Sequence, residues 1–371
     1  MDLKQQTAIH KTADFYTRKK GAPILQHEFG YYSLDRWISE GHIKSGADIT
    51  EICQLDAPGM ARLGNLGWCE AEFHPYFEVK VIEDRGDHEL EQDHAGRHVL
   101  YFKNRRSGFM PEYVAHPVTD RHTWERDIKW RMDPAAPGRF DYLPEKVAEV
   151  QALSDAGAMI GQNVIGGYMY LRSLVGPEGT LYMVYDEPEL VHDMMKTWFE
   201  LADAVIAKHQ QHFTLDELFL AEDICYNHGP LISPDMMRAF LFPYYQQLIT
   251  NIKARQIDKT RHLYIQIDTD GDCRPVIPVY QEIGADYFSP FEVASGCDVV
   301  ALRKQYPELL MRGGIDKRVL AESKDAIDHM IDRIMPFMSQ QGGFTPTCDH
   351  GVPEEVSFEN FLHYRKRLRE F

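Results

Sequence analysis

Residues 262–278 read HLYIQIDTDGDCRPVIP, a short apolar run followed at once by acidic residues. The apolar part, residues 263–267, has the length and composition of a buried strand. Asp268, Asp270 and Asp272 follow it directly, before a stretch that suits a helix. A buried strand that leads through an acidic loop into a helix is the repeating unit of α/β enzymes.

The same unit recurs from about residue 140 to the end of the chain, where short apolar strands alternate with longer amphipathic helices. Such alternation predicts parallel strands joined by helical crossovers. The predicted strands are AMIGQNVIG (158–166), ELFLAED (217–223), LYIQID (263–268), ADYFSP (285–290), LLMRGG (309–314) and GFTPTCD (343–349). About eight units can be assembled if residues 23–26 supply the first strand, so an α/β fold of the (β/α)8 TIM-barrel type is predicted. A doubly wound open sheet is the alternative, but no GxGxxG follows the first strand.

Residues 74–103 depart from this pattern. Phe77, Val79 and Val81 alternate with polar residues, and turn sequences at 85–87 and 95–96 follow. This pattern predicts a small antiparallel meander inserted into a single barrel domain that spans residues 1–371. We expect the meander to flank the catalytic mouth and shape the substrate pocket. A homodimer contact is the alternative, because such a patch has open edges.

Composition excludes several classes of protein. The formal net charge of −17 argues against a nucleic-acid surface, which needs clustered lysine and arginine. The sequence contains no run of 18 apolar residues, so a membrane-spanning helix is not expected. The six cysteines are scattered and form no CxxC pair, a pattern typical of reduced thiols in the cytoplasm.

Acidic residues stand at the ends of five consecutive predicted strands, and the last strand adds an imidazole. They are Glu222 and Asp223, Asp268 and Asp270, Glu292, Asp316, and Asp349 with His350. A single acidic strand end is commonly the N-cap of the next helix. In a barrel, however, these ends meet at one mouth, where carboxylates repel one another unless a cation or protons neutralise them. Oxygen and imidazole groups from separate strands predict zinc or another divalent metal with an open coordination position.

Three longer segments carry a family resemblance: residues 222–245, 289–321 and 342–364. The last of them reads GGFTPTCDHGVPEEVSFENFLHY. These segments resemble the uroporphyrinogen decarboxylase superfamily, in the branch of corrinoid-dependent methyltransferases and their relatives. The resemblance extends from about residue 140 to the end of the chain and implies a (β/α)8 barrel.

The resemblance also implies a set of metal ligands. In the zinc methyltransferases of this superfamily one strand ends in His-x-Cys-Gly, and a later Gly-Cys pair adds the third ligand. Here Asp268-Thr269-Asp270-Gly271 occupies the first motif, and His350 occupies the later position. The resemblance and the strand ends together predict that Asp268, Asp270 and His350 bind the metal. Glu292 or Cys348 would complete or replace part of this set.

The predicted function is metal-dependent transfer of a methyl group from a small methylated donor, expected to be a methoxy compound, to a corrinoid protein. The expected catalytic residues are Glu222, Asp223 and Glu292. The expected substrate-binding residues are Glu28, Gly167, Tyr168, Arg172 and Asp316. Tyr31, Tyr32 and Trp37 suit either an aromatic pocket wall or the core.

Two alternative functions remain open at this point. One is decarboxylation of the uroporphyrinogen type, for which RRSGFMPEY (105–113) is an echo of the decarboxylases' arginine-rich motif. The many acids predicted at the mouth disfavour it, because they would repel a polycarboxylate. The other is a barrel that binds a small molecule without catalysis.

Overall fold

The computed structural model describes residues 3–104 and 111–371. The N-terminal part contains helices α1 (Leu3–Tyr16), α2 (Leu34–Ser39) and α3 (Ile49–Ile52) and strand β1 (Met60–Leu63). Helix α1 packs directly against Gly59, just before β1. A Cβ at this position would lie 2.3 Å from the carbonyl oxygen of Ala8, so the absence of a side chain permits the close approach.

An antiparallel sheet follows, with strand order β2-β3-β4-β5. Its strands are β2 (Lys80–Asp84), β3 (His88–Gln92), β4 (His98–Phe102) and β5 (Glu112–Ala115). The predicted meander is therefore present, but a fourth strand lies beyond the range 74–103. Phe77 precedes the first strand, and its ring packs under Arg131 at 4.0 Å. Residues 105–110 of the RRSGFMPEY motif lie outside the described residues.

The strand–helix repeat begins with α4 (Arg121–Thr123), a π-helical turn (Trp124–Ile128), a 3₁₀ turn (Lys129–Met132) and α5 (Leu143–Asp155). It continues with β6 (Met159–Ile165), α6 (Gly167–Val175), α7 (Pro177–Asp186), α8 (Pro188–His209), β7 (Glu217–Ala221), β8 (Cys225–Tyr226), β9 (Gly229–Pro230) and α9 (Pro234–Met236). A second π turn (Met237–Leu241) leads into α10 (Phe242–Arg255). Pro243 has no N–H to donate, and the wider turn before it accommodates that missing bond.

The C-terminal part completes the repeat. Its elements are β10 (Tyr264–Asp268), α11 (Ile277–Gln281), β11 (Tyr287–Phe291), a 3₁₀ turn (Val293–Ser295), α12 (Val299–Gln305), β12 (Leu310–Ile315), α13 (Lys317–Leu320), α14 (Lys324–Gln341), β13 (Phe344–Cys348) and α15 (Phe358–Leu368). These bounds agree closely with the strands and helices predicted from the periodicity.

The main sheet has seven parallel strands in the order β1-β6-β7-β10-β11-β12-β13. It does not contain the strand predicted at residues 23–26, so the full eight-stranded barrel is not formed by hydrogen-bonded strands in the described ranges. Asp56 pairs with the backbone of this segment instead: its carboxylate accepts from Gln26 N at 2.7 Å, and its own N–H donates to Gln26 O at 2.8 Å. The side chain of Glu28, just after the segment, accepts from Cys348 N of β13 at 2.7 Å. The first strand of the sheet is β1, which the sequence pattern did not predict.

Helix α1 closes one end of the curled sheet. Phe15 and Tyr16 form a small buried cluster with Tyr287 and Leu310, near the N-terminal ends of the parallel strands. The rings of Phe15 and Tyr287 meet edge to face at 5.3 Å. This arrangement leaves the opposite end, where the parallel strands finish, as the open mouth. None of the described helices has the length and apolar character needed to span a membrane.

Candidate active site

A cavity of about 540 Å³ lies at the C-terminal ends of the parallel strands. We call it the upper cavity. Its lining consists of Phe29, Tyr32, Trp68, Cys69, Arg97, Tyr113, His116, Met169, Arg172, Ser173, Pro177, Ala221, Asp223, Asp268, Asp270 and His350. The cavity thus combines acidic strand ends on its floor with aromatic and basic side chains on its walls. The antiparallel sheet contributes Arg97 and Tyr113, so it borders the mouth as predicted.

Asp268 and Asp270 are the acids at the end of β10. Burial raises the pKa of Asp268 to about 6, although a hydrogen bond from Ser289 Oγ at 2.6 Å favours its charged form. Burial, together with the charges of Asp223 and Glu292, raises the pKa of Asp270 to about 8. Asp270 lines the upper cavity, and 44% of its side-chain surface is accessible. At neutral pH Asp270 therefore retains a proton.

His350 faces Asp270 across the cavity. Its Nδ1 accepts hydrogen bonds from Gly351 N at 2.8 Å and from the Tyr32 hydroxyl at 3.1 Å. Because Nδ1 is the acceptor, the ring proton lies on Nε2. Nε2 is 3.7 Å from Asp270 Oδ2, which is longer than a hydrogen bond. Burial and the positive charge of Lys317 lower the pKa of His350, so the imidazole is neutral.

Metal binding by Asp268, Asp270 and His350 stays a prediction. The three residues line one cavity, but within residues 3–104 and 111–371 no three His, Cys, Asp or Glu side chains are grouped closely enough to hold an ion. The nitrogen of His350 that faces the acids carries the proton in this arrangement, whereas a metal ligand must offer a lone pair there.

Glu222 and Asp223 are neighbours in sequence but point to different places. The backbone N–H groups of both donate to the carbonyl oxygen of Asp268, at 2.9 and 3.0 Å, and Asp223 has a positive φ of 40°. Asp223 faces the upper cavity and pairs with Arg172, which also lines it. Both residues were expected at the site, and the structure brings them together there.

Glu222 lies behind the cavity wall, contrary to its predicted catalytic role. It is fully buried and accepts hydrogen bonds from Tyr168 N at 2.9 Å and the Tyr245 hydroxyl at 2.5 Å. Burial raises its pKa to about 7. Its carboxylate is therefore committed to holding the loop after β6, and Asp270 is the protonated carboxyl group that faces the cavity.

Lys317 neutralises part of the acidic cluster. Its Nζ lies 3.2 Å from Glu292 Oε1 and 3.8 Å from Asp349 Oδ1. The other oxygen of Glu292 accepts from Gly271 N at 2.8 Å, and Asp349 Oδ2 accepts from Val293 N at 2.9 Å. Glu292, predicted to be catalytic, does not line the cavity. It holds the loop that carries Asp270.

Four residues predicted to bind substrate have structural positions instead. Asp316 is the N-cap of α13, where it accepts from Arg318 N at 2.9 Å. Glu28 is buried beside Arg365. Gly167 N donates to the Tyr245 hydroxyl at 2.5 Å, and Tyr168 has no exposed surface. These residues lie at strand ends as the sequence indicated, but each of them caps a helix or packs in the interior.

The walls of the upper cavity contain residues that the sequence did not single out. Trp68 and Cys69 follow β1, and Arg97 lies in the turn between β3 and β4. The Arg97 guanidinium is 4.7 Å above the Tyr113 ring, while its Nε donates to Asp93 at 2.7 Å. Of the aromatic residues weighed for a pocket wall, Tyr32 lines the cavity. Tyr31 and Trp37 belong to the core, where Trp37 packs on Phe361.

The fold and this cavity define a protein of the TIM-barrel-like α/β class with an acidic mouth. The family model described as uroporphyrinogen decarboxylase (URO-D) matches residues 108–371, and the chain belongs to that family. No curated protein sequence matches it significantly.

Among solved structures, the chain is similar to a methyltransferase from Methanosarcina mazei, with a TM-score of 0.57 and 14% identity over 100% of this chain and 98% of that one. A putative vitamin-B12 independent methionine synthase from Listeria monocytogenes aligns with a TM-score of 0.36 and 11% identity, covering 94% and 98% of the two chains. Xylanase B from Clostridium stercorarium F9 aligns with a TM-score of 0.35 and 10% identity, covering 62% and 78%. At these identities the first match supports the fold.

Proposed function

We propose that the protein is a methyltransferase of the URO-D family, which takes a methyl group from a small methoxy compound bound in the upper cavity. The observation that carries this proposal is the position of Asp270, a carboxyl group that lines the cavity and whose pKa is raised to about 8 by burial and by neighbouring acids. Breaking a carbon–oxygen bond of an ether requires help for the departing oxygen, and a positioned acid supplies it.

The donor's ether oxygen would lie between Asp270 Oδ2 and His350 Nε2. The 3.7 Å separation of these atoms is too long for a direct hydrogen bond, so both groups are available to a substrate atom. The acceptor's electron pair forms a bond to the methyl carbon, the C–O bond breaks with its electron pair left on the oxygen, and Asp270 gives its proton to that oxygen. The products are a methylated acceptor, a hydroxyl compound and the Asp270 carboxylate, which regains a proton from water.

The acceptor in this proposal is a corrinoid carried by a partner protein, as the family resemblance implies. When bound, the reduced cobalt supplies the nucleophile. The part that this chain plays is to hold the donor, exclude water and deliver the proton. Trp68 and Tyr32 offer aromatic surface for the donor's ring, and the Gly351 N–H, which donates to His350 Nδ1, keeps the ring proton on Nε2.

Charge in the upper cavity supports methyl transfer over decarboxylation of a polycarboxylate. The arginines in its described lining, Arg97 and Arg172, are already paired with Asp93 and Asp223. The floor adds Asp268 and Asp270. A substrate with many carboxylates would therefore find both arginines already paired and the carboxylates of Asp223 and Asp268 nearby.

A donor panel tests the proposal. The protein is incubated with free cob(I)alamin and, separately, with 2-methoxyphenol, trimethylamine or uroporphyrinogen. The expected result is a shift of the cobalt spectrum with 2-methoxyphenol. Methylation from the amine but not the ether would refute the role of the leaving oxygen. Carbon dioxide release from uroporphyrinogen without any methylation would refute the transferase proposal.

Metal removal distinguishes proton transfer from Asp270 from catalysis by a metal bound to Asp268, Asp270 and His350. That prediction implies about one ion per chain in protein purified without an affinity tag, and loss of activity on chelation. Because His350 presents its proton to the acids, we expect methyl transfer to survive dialysis against EDTA. Elemental analysis before and after dialysis provides the measurement. A stoichiometric ion whose removal abolishes transfer would contradict the proton-based account.

The aromatic wall is expected to affect donor binding. Trp68→Ala removes an exposed ring that lies 5.0 Å from Phe219, and it should raise the KM for 2-methoxyphenol about three- to tenfold while kcat changes little. Trp130→Ala is the matched control, because Trp130 is similarly exposed but does not line the cavity. Equal effects of the two substitutions would argue against this wall as the donor site.

A further inference from the structure

A second cavity, of about 230 Å³, lies inside the curled sheet at the end closed by α1. We call it the basal cavity. Its wall includes Tyr16, Met60, Arg62, Tyr287, Arg312 and Thr345. It shares no lining residue with the upper cavity, and the proposed methyl transfer does not use it.

Two arginines line this cavity, Arg62 and Arg312. Burial lowers the pKa of Arg62 to about 10, and 38% of its side-chain surface stays accessible. Arg312 lines the same cavity, and its Nε is buried without a hydrogen-bond partner. Its Nη2 lies 3.1 Å from Nδ1 of His27.

The charges in the cavity are not balanced by its own walls. Within the described ranges, the carboxyl group that contacts the guanidinium groups is that of Glu217. It accepts from Arg62 and from the Tyr16 hydroxyl. Asp268 also acts on Arg312 electrostatically, but it lines the upper cavity and accepts from Ser289. His27 adds no charge, because burial and Arg312 lower its pKa to about 3. Burial raises the pKa of Glu217 to about 8, so its carboxyl group does not neutralise both guanidinium groups near neutral pH.

The backbone is shaped to leave room for Arg62. A Cβ at Gly161 would lie 2.7 Å from Arg62 Nη1 and 2.8 Å from the sulfur of Met60, so a side chain there would displace the guanidinium. Beside the cations the lining is apolar, with Phe15, Leu25 and the ring of Tyr287. A ligand that matches both parts has one negative head group and a short hydrocarbon tail.

We propose that the basal cavity binds a short-chain aliphatic carboxylate, with its head group between Arg62 and Arg312 and its tail against Phe15 and Tyr287. A guanidinium pairs well with a carboxylate because their hydrogen-bonding geometries match. Since the site belongs to the folded sheet, ligand binding stabilises the native state. This site is independent of the donor site in the upper cavity.

Calorimetric titration of the full chain with sodium hexanoate tests the site, with 1-hexanol as the uncharged control. Hexanoate is expected to bind and raise the melting temperature, and hexanol is not. Arg312→Gln should weaken hexanoate binding by about tenfold or more, because a charged hydrogen bond is lost. Arg172→Gln, in the upper cavity, should leave the affinity unchanged.

Several outcomes would overturn the inference. They are the absence of binding, equal binding of hexanol, or an affinity that depends on Arg172 and not on Arg312. If Arg312→Gln fails to fold, a crystal of the unsubstituted protein soaked in hexanoate decides the question. Density for the carboxylate between Arg62 and Arg312 supports the site, and a basal cavity without hexanoate contradicts it.

Discussion

Replacing Asp270 by asparagine is expected to lower the rate of methyl transfer from 2-methoxyphenol by about 10²- to 10³-fold, the usual contribution of a general acid. Asparagine keeps the size of the side chain and can still donate a weak hydrogen bond. It cannot give a proton to the departing oxygen. The KM for the donor should change much less, because the aromatic wall that contacts the ring is unaltered.

Asp272→Asn is the matched control for this substitution. Asp272 lies two residues further along the same loop, but its carboxylate is bound to Arg274 at 2.7 Å and does not line the cavity. We expect near-normal turnover from this variant. Equal losses in the two variants would show that the loop needs its charges for structure, and the acid role of Asp270 would be withdrawn.

Arg365→Met is expected to lower the free energy of unfolding by about 3–5 kcal/mol, because it leaves a buried carboxylate without its cation. Arg365 and Glu28 have no exposed side-chain surface, and Nη1 lies 3.5 Å from Glu28 Oε2. The guanidinium also donates to His27 O and to Gln26 Oε1, both at 2.9 Å. It therefore ties helix α15 to the segment around residues 23–28, which includes the predicted first strand.

Urea denaturation measures this effect, and Arg367→Met on the same helix is its control. Arg367 pairs at the surface with Asp332 at 2.8 Å and Glu370 at 3.0 Å. Such pairs contribute about 1 kcal/mol or less each. If Arg365→Met lowers the free energy of unfolding no more than Arg367→Met does, the buried pair does not stabilise residues 23–28.

The fold was largely predictable from residue 140 onwards, because each strand is a short apolar run and each helix is amphipathic. The first strand was not. Residues 23–26 have a strand-like sequence, but Gln26 N donates to the Asp56 carboxylate and Gln26 O accepts from Asp56 N in place of a neighbouring strand. The true first strand, β1, has only four residues and carries Arg62 near its middle, so no apolar run marks it.

The site was predictable in location and less so in detail. The expectation that strand ends form the site correctly selected Asp223, Asp268, Asp270 and His350, and all of them line the upper cavity. It also selected Glu222, whose side chain points away because neighbouring side chains of an extended chain alternate in direction, and Ala221 and Asp223 are the two that line the cavity. Trp68 was missed because β1 was missed. Recognising that strand would have directed attention to the residues that follow it.

The pH dependence of a single turnover tests the central claim most directly. Asp270 gives up its proton with a pKa of about 8, so the acid is present below that pH and absent above it. The rate of methyl transfer to cob(I)alamin should be constant near neutral pH and fall about tenfold for each unit above 8. The Asp270→Asn variant should be slow at every pH, without this fall. A wild-type rate that rises through the same range, or an identical profile in the variant, would contradict the assignment of Asp270 as the acid.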